Sequence, residues 1–172
     1  MDDFIADLTH EFRRQKAMAE RAIPNLNDEQ FFHRPGEQVN NVALIVKHLA
    51  GNMASRWSDF LTTDGEKPTR DRDSEFVITD ADTRASLMTA WDRGWTILLE
   101  TLAGLTDADL QATVTIRGEA QSARQALLRG MSHVAYHVGQ VLYLVRLLQP
   151  DSPWQTIPPG QSRAARGNYR AL

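Results

Sequence analysis

Apolar side chains recur every three or four residues along four stretches of the chain, the spacing that places them on one face of an α-helix. Polar connections separate the stretches, and Pro24, Gly104 and Pro150 stand where three of the stretches end. The predicted helices cover residues 2–23, 41–61, 82–103 and 123–148. The pattern predicts an all-α protein, built as a four-helix bundle with long connections.

Residues that favour helix N-termini precede the later predicted helices. Asn40 or Asn41 is the expected N-cap of the second helix, and Asp80 is the expected N-cap of the third. Ser122 and Gln125 form a capping-box pattern at the start of the fourth.

The connections between the helices carry two further features. The first is the polar, charge-dense segment 62–79, which can reach ~60 Å when extended, about twice the length of a ~30 Å second helix. It can therefore cross the bundle and leave the second and third helices parallel. The second is the segment 112–119, where Val114 and Ile116 alternate with polar residues ahead of Gly118, a pattern that predicts one short hairpin before the last helix.

Composition narrows the class of protein. The chain has 172 residues, 42% of them hydrophobic and 24% charged, which predicts a single soluble domain over 1–172 with an extended tail from about residue 150. Cysteine is absent, so disulfides, thiolate metal sites and a cysteine nucleophile are excluded.

Charge and hydropathy indicate which kinds of partner the protein binds and in which cell compartment it is found. A formal net charge of -3 argues against binding to nucleic acid. No apolar run approaches the ~20 residues of a membrane span, and the acidic start lacks the apolar segment of a secretory signal. These features predict a cytoplasmic protein that binds neither nucleic acid nor membrane.

Histidines are the main candidates for chemistry, and there are five. His133 and His137 are spaced i, i+4 on the last predicted helix, so they lie on one face and can share a ligand. Helical geometry places the pair at the edge of the apolar stripe, and Gln140 continues that edge. Two polar residues on a helix flank would show the same spacing, so the pair by itself leaves both interpretations open.

The second predicted helix has a similar polar edge on its core face. His48, Asn52 and Arg56 follow one another at four-residue steps beside the apolar stripe. A charged residue on a core face is rarely left unpaired. Arg56 therefore either extends its head to water or to a carboxylate such as Asp59, or faces a polar pocket.

Together these residues are compatible with a metal site. Neutral imidazole binds Zn, Ni, Cu and Fe(II), and three protein nitrogens leave an open position, as catalytic sites do. One histidine from the second helix and the pair from the fourth make a workable geometry. His10 and His33 fit less well, because His10 has no second donor near it on its helix and His33 lies in a connection.

Short strings spread from about residue 40 to residue 162 match one family pattern. They are KHLAGNM at 47–53 with RW at 56–57, DGEKP at 64–68 with RD at 72–73, H-x3-H-x2-Q at 133–140 and IP-x-GQS at 157–162. Through these strings the chain resembles the DinB-like (YfiT-like) metal-binding superfamily, in particular a bacterial subfamily catalogued as a domain of unknown function.

The resemblance implies a four-helix bundle in up-down-down-up order that often forms homodimers. It also implies a divalent metal held by His48, His133 and His137. Some members of the superfamily are thiol S-transferases that use a low-molecular-weight thiol such as bacillithiol, mycothiol or glutathione, and others are isomerases that depend on such a thiol.

The resulting prediction is a metal-dependent thiol S-transferase that binds Zn or Ni and acts on a small-molecule substrate. Asn52, Arg56 and Gln140 would orient the substrate or support the metal ligands. One alternative is a non-catalytic, dimeric protein that binds a metal or a small ligand. The other is a helical bundle whose histidines bind no metal.

Overall fold

The computed structural model describes residues 4–165 of the chain, which form a predominantly helical protein with a small two-stranded sheet. The helices are α1 (Phe4–Ala22), α2 (Asp28–Phe32), α3 (Val42–Trp57), α4 (Arg84–Gly104) and α5 (Ala123–Leu148). The strands are β1 (Thr113–Ile116) and β2 (Glu119–Ser122). Short 3-10 turns lie at Ile23–Asn25, Asp73–Phe76 and Asp107–Gln111. The predominantly helical class is confirmed, and the four long helices lie close to their predicted positions.

The apolar faces of the long helices meet in one core that contains large aromatic side chains. Phe12 of α1 makes edge contacts with Trp57 of α3 and Trp95 of α4, at ring-centroid distances of 6.1 and 6.4 Å. All three side chains are at most 1% exposed. Burial of such side chains stabilises a fold by roughly 1.5–3 kcal/mol each, so this cluster holds the three helices together.

Helices α3 and α4 pack side by side and run in the same direction. Gly94 of α4 faces Ala50 of α3, and the Thr101 hydroxyl donates a hydrogen bond to the Trp57 carbonyl at 2.9 Å. Both contacts join residues 44 positions apart in the sequence. A step of seven residues along α3 therefore matches a step of seven residues in the same direction along α4. The long 62–79 connection makes this arrangement possible, because it carries the chain back along the length of α3.

One helix end differs from the prediction. The second predicted helix was expected to run to residue 61, but α3 ends at Trp57. Asp59 adopts a left-handed φ of 50°, and its carbonyl accepts the backbone N–H groups of Thr62 and Thr63. Phe60 is still buried, so the apolar stripe continues through this turn after the helix has ended.

The start of α4 also differs from the prediction, since its N-cap is Thr83 and not Asp80. The Thr83 hydroxyl accepts the N–H of Ser86 at 3.1 Å, and the Ser86 hydroxyl accepts the N–H of Thr83 at 3.0 Å. This reciprocal pair satisfies backbone donors that the first turn of a helix leaves open. The other predicted caps are confirmed: Asn41 caps α3, and Ser122 caps α5 with Gln125.

The predicted hairpin is present and is tied to the 62–79 connection. Its two-residue turn, Arg117 and Gly118, has φ values of 57° and 77°, as the favoured hairpin turn requires. The Asp64 carboxylate accepts the N–H groups of both turn residues at 2.8 Å. Backbone hydrogen bonds from Glu66 and Gly118 lower the pKa of Asp64 to about 2, so it is ionised at neutral pH.

Within residues 4–165, none of the helices combines the length and the apolar character needed to cross a membrane.

Candidate metal centre

Three histidines from two helices converge at the edge of the core. His48 lies on α3, and His133 and His137 lie on α5. One ring nitrogen of each lies within 4.8 Å of the other two. The Nε2 atoms of His48 and His133 are 3.1 Å apart. The pair on one helix and the single histidine on the other thus meet as the sequence pattern predicted.

The positions of these histidines follow from the apolar stripes of their helices. On α5, Val134 and Val138 are buried in the core, and the histidine next to each lies at the margin of that buried face. His48 and His137 are 3% and 5% exposed, and His133 is partly buried. The cluster is therefore shielded from bulk water on the core side.

In the neutral imidazole, hydrogen bonds determine which ring nitrogen carries the proton in two of the histidines. The Nδ1–H of His48 donates to Glu75 Oε2 at 2.7 Å. The Nδ1–H of His137 donates to Gln140 Oε1 at 2.8 Å. Carboxylate and amide oxygens only accept, so both Nε2 atoms carry a lone pair. Metal-binding histidines typically have this arrangement, in which the nitrogen that does not bind the metal donates to an oxygen.

The donor set fits a divalent metal ion. In tetrahedral zinc sites with Zn–N distances of about 2.1 Å, two ligand nitrogens lie ~3.4 Å apart. The 3.1 Å separation of the His48 and His133 Nε2 atoms is close to that value. His137 Nε2 is buried and has no hydrogen-bond partner among the described residues, so its lone pair is available. Three such nitrogens leave at least one coordination position for a small molecule.

Burial keeps two of the three imidazoles neutral at physiological pH. Desolvation, followed by the neighbouring His137, lowers the pKa of His133 to about 3. Desolvation, followed by the neighbouring His48, lowers the pKa of His137 to about 4. Because a metal binds only the neutral imidazole, these side chains are ready to coordinate at pH 7.

The metal-free protein is expected to lose stability as the pH falls below ~6.5, the ordinary pKa of histidine. His133 and His137 have lower pKa values in the folded state, so the unfolded chain binds protons first on acidification. The contribution of the two neutral histidines to folding stability is complete above about pH 6.5. It declines as the pH falls toward their folded-state pKa values. Urea denaturation of chelator-treated protein between about pH 7.5 and about pH 5 would measure this loss of stability. Most carboxyl groups titrate below this pH range. The H133Q/H137Q double variant should lose less stability over this range, and an equal loss in both proteins would contradict the expectation.

Glu75 joins His48 to a buried arginine. The Glu75 side chain is 7% exposed and the Arg70 side chain is 6% exposed. Arg70 donates from Nε to Glu75 Oε1 at 2.7 Å and from Nη2 to Oε2 at 2.8 Å. Desolvation acts to raise the pKa of Glu75, but hydrogen bonds from His48 and Arg70 outweigh it and hold this pKa below its usual value. The carboxylate therefore stays charged and is a strong acceptor for the His48 proton.

A cavity of about 530 Å³ opens over the histidines, and Asn52 and Arg56 line it. Arg56 is 7% exposed, and its Nε atom has no hydrogen-bond partner within residues 4–165. Of the two interpretations of Arg56, the structure supports the polar pocket, because no ion pair between Arg56 and Asp59 forms within the described residues. Tyr136 also lines the cavity, and its ring centroid lies 4.2 Å from that of His137.

A family model with the description "Protein of unknown function (DUF1572)" matches residues 1–161. This chain belongs to the DUF1572 family. The matched range contains all three histidines as well as Glu75 and Arg56. Neither the curated proteins nor the solved structures contain a significant match to the chain.

The other two histidines of this DUF1572 protein lie away from the cluster. His33 is exposed at the end of α2. His10 lies on α1, in a separate surface groove that Leu102 also lines. Their exclusion from the predicted metal site agrees with this placement.

Glu75, Arg70 and Tyr136 are the site residues that sequence reasoning did not identify. Tyr136 directly precedes His137 in the sequence, on a position that helical periodicity assigns to solvent, and it is indeed 52% exposed. Its ring nevertheless folds back on the histidines. Glu75 and Arg70 are two of many charged residues in the 62–79 connection, and neither lies in the strings of that segment that match the family pattern.

Gly51 allows the Glu75 side chain to lie directly against α3. A Cβ atom at Gly51 would lie 2.3 Å from Glu75 Oε1 and 2.8 Å from its Cδ. Real side chains do not approach so closely, so any larger residue must push the carboxylate away. Glycine at this helical position costs about 1 kcal/mol of helix stability relative to alanine, and in this family member it makes room for the acceptor of His48.

G51A is expected to weaken metal binding by about 10–100-fold, the effect of losing an outer-shell partner. The substitution should do so without unfolding the protein, because alanine favours the helix. Competition between the protein and a chromophoric zinc chelator would measure the affinity. G139A is the matched control, because Gly139 lies on α5 with nothing within 4 Å of an added Cβ. Equal zinc affinities for G51A and wild type would show that Glu75 does not support the site.

Proposed function

We propose that this DUF1572 protein is a metal-dependent enzyme of the thiol S-transferase type, in which His48, His133 and His137 hold one Zn or Ni ion. The observation that carries the proposal is the convergence of three imidazoles beside a cavity. Two of them have their Nε2 lone pairs set by hydrogen bonds to Glu75 and Gln140. A packed histidine without a ligand role does not need this arrangement.

Membership of the DinB-like superfamily, with its up-down-down-up helix order, is part of the same proposal. The parallel course of α3 and α4 supports it, since the two middle helices of that order run in one direction. The proposal places the protein in the cytoplasm, where low-molecular-weight thiols are kept reduced.

A divalent metal in such a site, when bound, acts as a Lewis acid that lowers the pKa of a thiol placed beside it. The chain has no cysteine, so the thiol enters as a cosubstrate. The cavity of about 530 Å³ lies within the range of roughly 300–1,000 Å³ typical of small-molecule sites. In the transfer, the thiolate sulfur forms a bond to an electrophilic carbon, the leaving group departs with its electron pair, and the thiol proton passes to solvent.

The chain's own residues position these reactants. Glu75 and Gln140 hold the imidazoles of His48 and His137 in one tautomer and orientation. Asn52 and Arg56 line the cavity beside the histidines, where they would orient the substrate. The apolar core behind the cluster excludes water from one side of the site.

The test is turnover by untagged protein loaded with Zn or Ni, given glutathione, bacillithiol or mycothiol and monochlorobimane as the electrophile. We expect formation of the thioether, followed by fluorescence and mass spectrometry, which requires the metal and is lost in H137A. Turnover that persists in H137A or without metal would refute the enzymatic proposal. Stoichiometric metal with no turnover for any thiol would favour the non-catalytic metal-binding alternative.

We also propose that the protein is a homodimer. Tyr136, Tyr143 and Leu147 are spaced along one face of α5 and are 52%, 69% and 50% exposed. A second copy of this apolar face would cover them. Sedimentation equilibrium should give about twice the chain mass of 19.4 kDa for wild type and the chain mass for L147D. A monomeric wild-type protein would contradict this proposal.

A further inference from the structure

The cavity beside the histidines has more positive than negative side chains on its wall. The charged side chains that line it are Arg56, Arg70, Arg72, Arg117, Arg129, Glu66 and Glu119. Arg70 is already neutralised, because it binds Glu75 with two nitrogens and Glu66 with the third, at 2.9 Å. Arg117 shares Glu66 at 3.5 Å. Two of the lining arginines thus share the carboxylate of Glu66.

Arg56 is a buried cation that forms no ion pair among the described residues, although the more distant carboxylate of Glu66 favours its charged form. Its side chain comes from the last turn of α3, and no ion pair to it forms within the described residues. The residue is 7% exposed, and its buried Nε atom has no hydrogen-bond partner in the described part of the chain. Desolvation, followed by the charge of Arg129, lowers the pKa of Arg56 to about 10, which still leaves it protonated at pH 7. Burying a cation is unfavourable unless an anion close to it compensates the charge.

Arg129 brings a second cation to the same cavity from another helix. It lies on α5, is exposed to solvent, and has the largest electrostatic effect of any charged group on Arg56. Two like charges from two helices repel each other unless an anion lies between them. Guanidinium groups bind carboxylates and phosphates through paired N–H donors, and both Arg56 and Arg129 line this cavity.

We infer that the cavity binds a small molecule with a carboxylate or phosphate group, which Arg56 and Arg129 hold beside the three histidines. This inference deepens the proposed function, because it names the class of the substrate, and its chemistry rests on that function. The anion site itself consists of Arg56 and Arg129 and requires no metal. A neutral hydrophobic electrophile alone would leave the buried charge of Arg56 without an anion beside it.

The direct test is isothermal titration calorimetry with inorganic phosphate and with succinate, on full-length protein treated with a chelator. We expect one site per chain for at least one of the two probes. R56Q should weaken binding at least tenfold, and R129Q should weaken it several-fold. R129Q removes an exposed side chain, so it tests the site even where R56Q alters folding. R93Q is the matched control, since Arg93 is exposed on α4 outside the cavity, and it should bind as wild type does.

Protein stability provides a second readout for Arg56. Without added anion, R56Q is expected to unfold at a temperature at least as high as wild type, because a buried uncompensated charge is removed. Added phosphate or succinate should raise the unfolding temperature of wild type more than that of R56Q. Equal shifts in both proteins would overturn the inference.

Metal content measured on the same samples separates this inference from the proposed function. Anion binding that depends on Arg56 in a protein that takes up no Zn or Ni would refute the metal-dependent enzyme and support the anion site. Binding that needs Zn and survives in both R56Q and R129Q would overturn the anion site and leave the metal centre standing. Absence of binding by both probes, with or without metal, would also overturn the anion site.

Discussion

Replacing Glu75 by alanine is expected to lower the free energy of unfolding by about 3–5 kcal/mol, the usual effect of removing one partner of a buried ion pair. The Arg70 side chain, 6% exposed, would keep only its contact with Glu66. The Nδ1–H of His48 would lose its acceptor inside the protein. Both groups would remain buried with donors that lack an acceptor. A buried donor without a partner costs the full free energy of removing it from water. Urea denaturation of metal-free protein measures the change.

The controls for E75A come from the same segment. Asp73 lies in the same 3-10 turn with a side chain that is 96% exposed, so D73A should leave the free energy of unfolding nearly unchanged. E75Q keeps the shape of the side chain and an oxygen acceptor but loses the charge, so it should fall between wild type and E75A. If E75A lowers the free energy of unfolding by less than about 1 kcal/mol, the effect is that of an ordinary surface substitution. That result would show that the Glu75–Arg70 pair does not hold the 62–79 connection against α3.

Removal of a single histidine of the cluster is expected to weaken metal binding by more than about a hundredfold, because the loss of an outer-shell partner already costs 10–100-fold. Untagged wild-type protein should contain about one Zn or Ni per chain by mass spectrometry of the metal, as a three-ligand site predicts. H48A and the H133A/H137A double variant should contain almost none. H33A is the matched control, since His33 is exposed and lies outside the cluster.

Circular dichroism and thermal unfolding of each variant would show that the loss of metal is not a loss of fold. Full metal content in H48A or in H133A/H137A would contradict the three-histidine centre. So would a wild-type protein that takes up neither Zn nor Ni on incubation. Either result would leave the histidines as packed side chains beside the cavity, and the anion site would then be tested without a metal.

The sequence allowed the long helices and the histidine cluster to be predicted because both depend on local periodicity. An i, i+4 pair lies on one face of any α-helix, and an apolar stripe determines which way that face turns. His48 and the pair of His133 and His137 each border such a stripe. When the stripes pack together their borders meet, so the three side chains converge.

Details that depend on competition between nearby groups could not be predicted in the same way. Asp80 and Thr83 are both good N-cap residues, and only the reciprocal bonds between Thr83 and Ser86 decide the start of α4. The backbone leaves the helix at Ser58, which is extended, and turns left-handed at Asp59, although the apolar stripe continues to Phe60. Periodicity shows which face is buried, but it does not show where the helical backbone stops.

By itself, the sequence determined the helical class, the positions of the four long helices and the place of each of the three histidines beside the apolar stripe of its own helix, because each follows from spacing along one helix. Only the tertiary structure decided that Glu75 is the acceptor for His48, that Gly51 leaves space for it, and that Arg56 faces a cavity without forming an ion pair among the described residues. These contacts join the 62–79 connection to α3 and the charged side chains to one another across the cavity. They depend on how a long irregular segment folds back in three dimensions, and no spacing along the chain encodes that path.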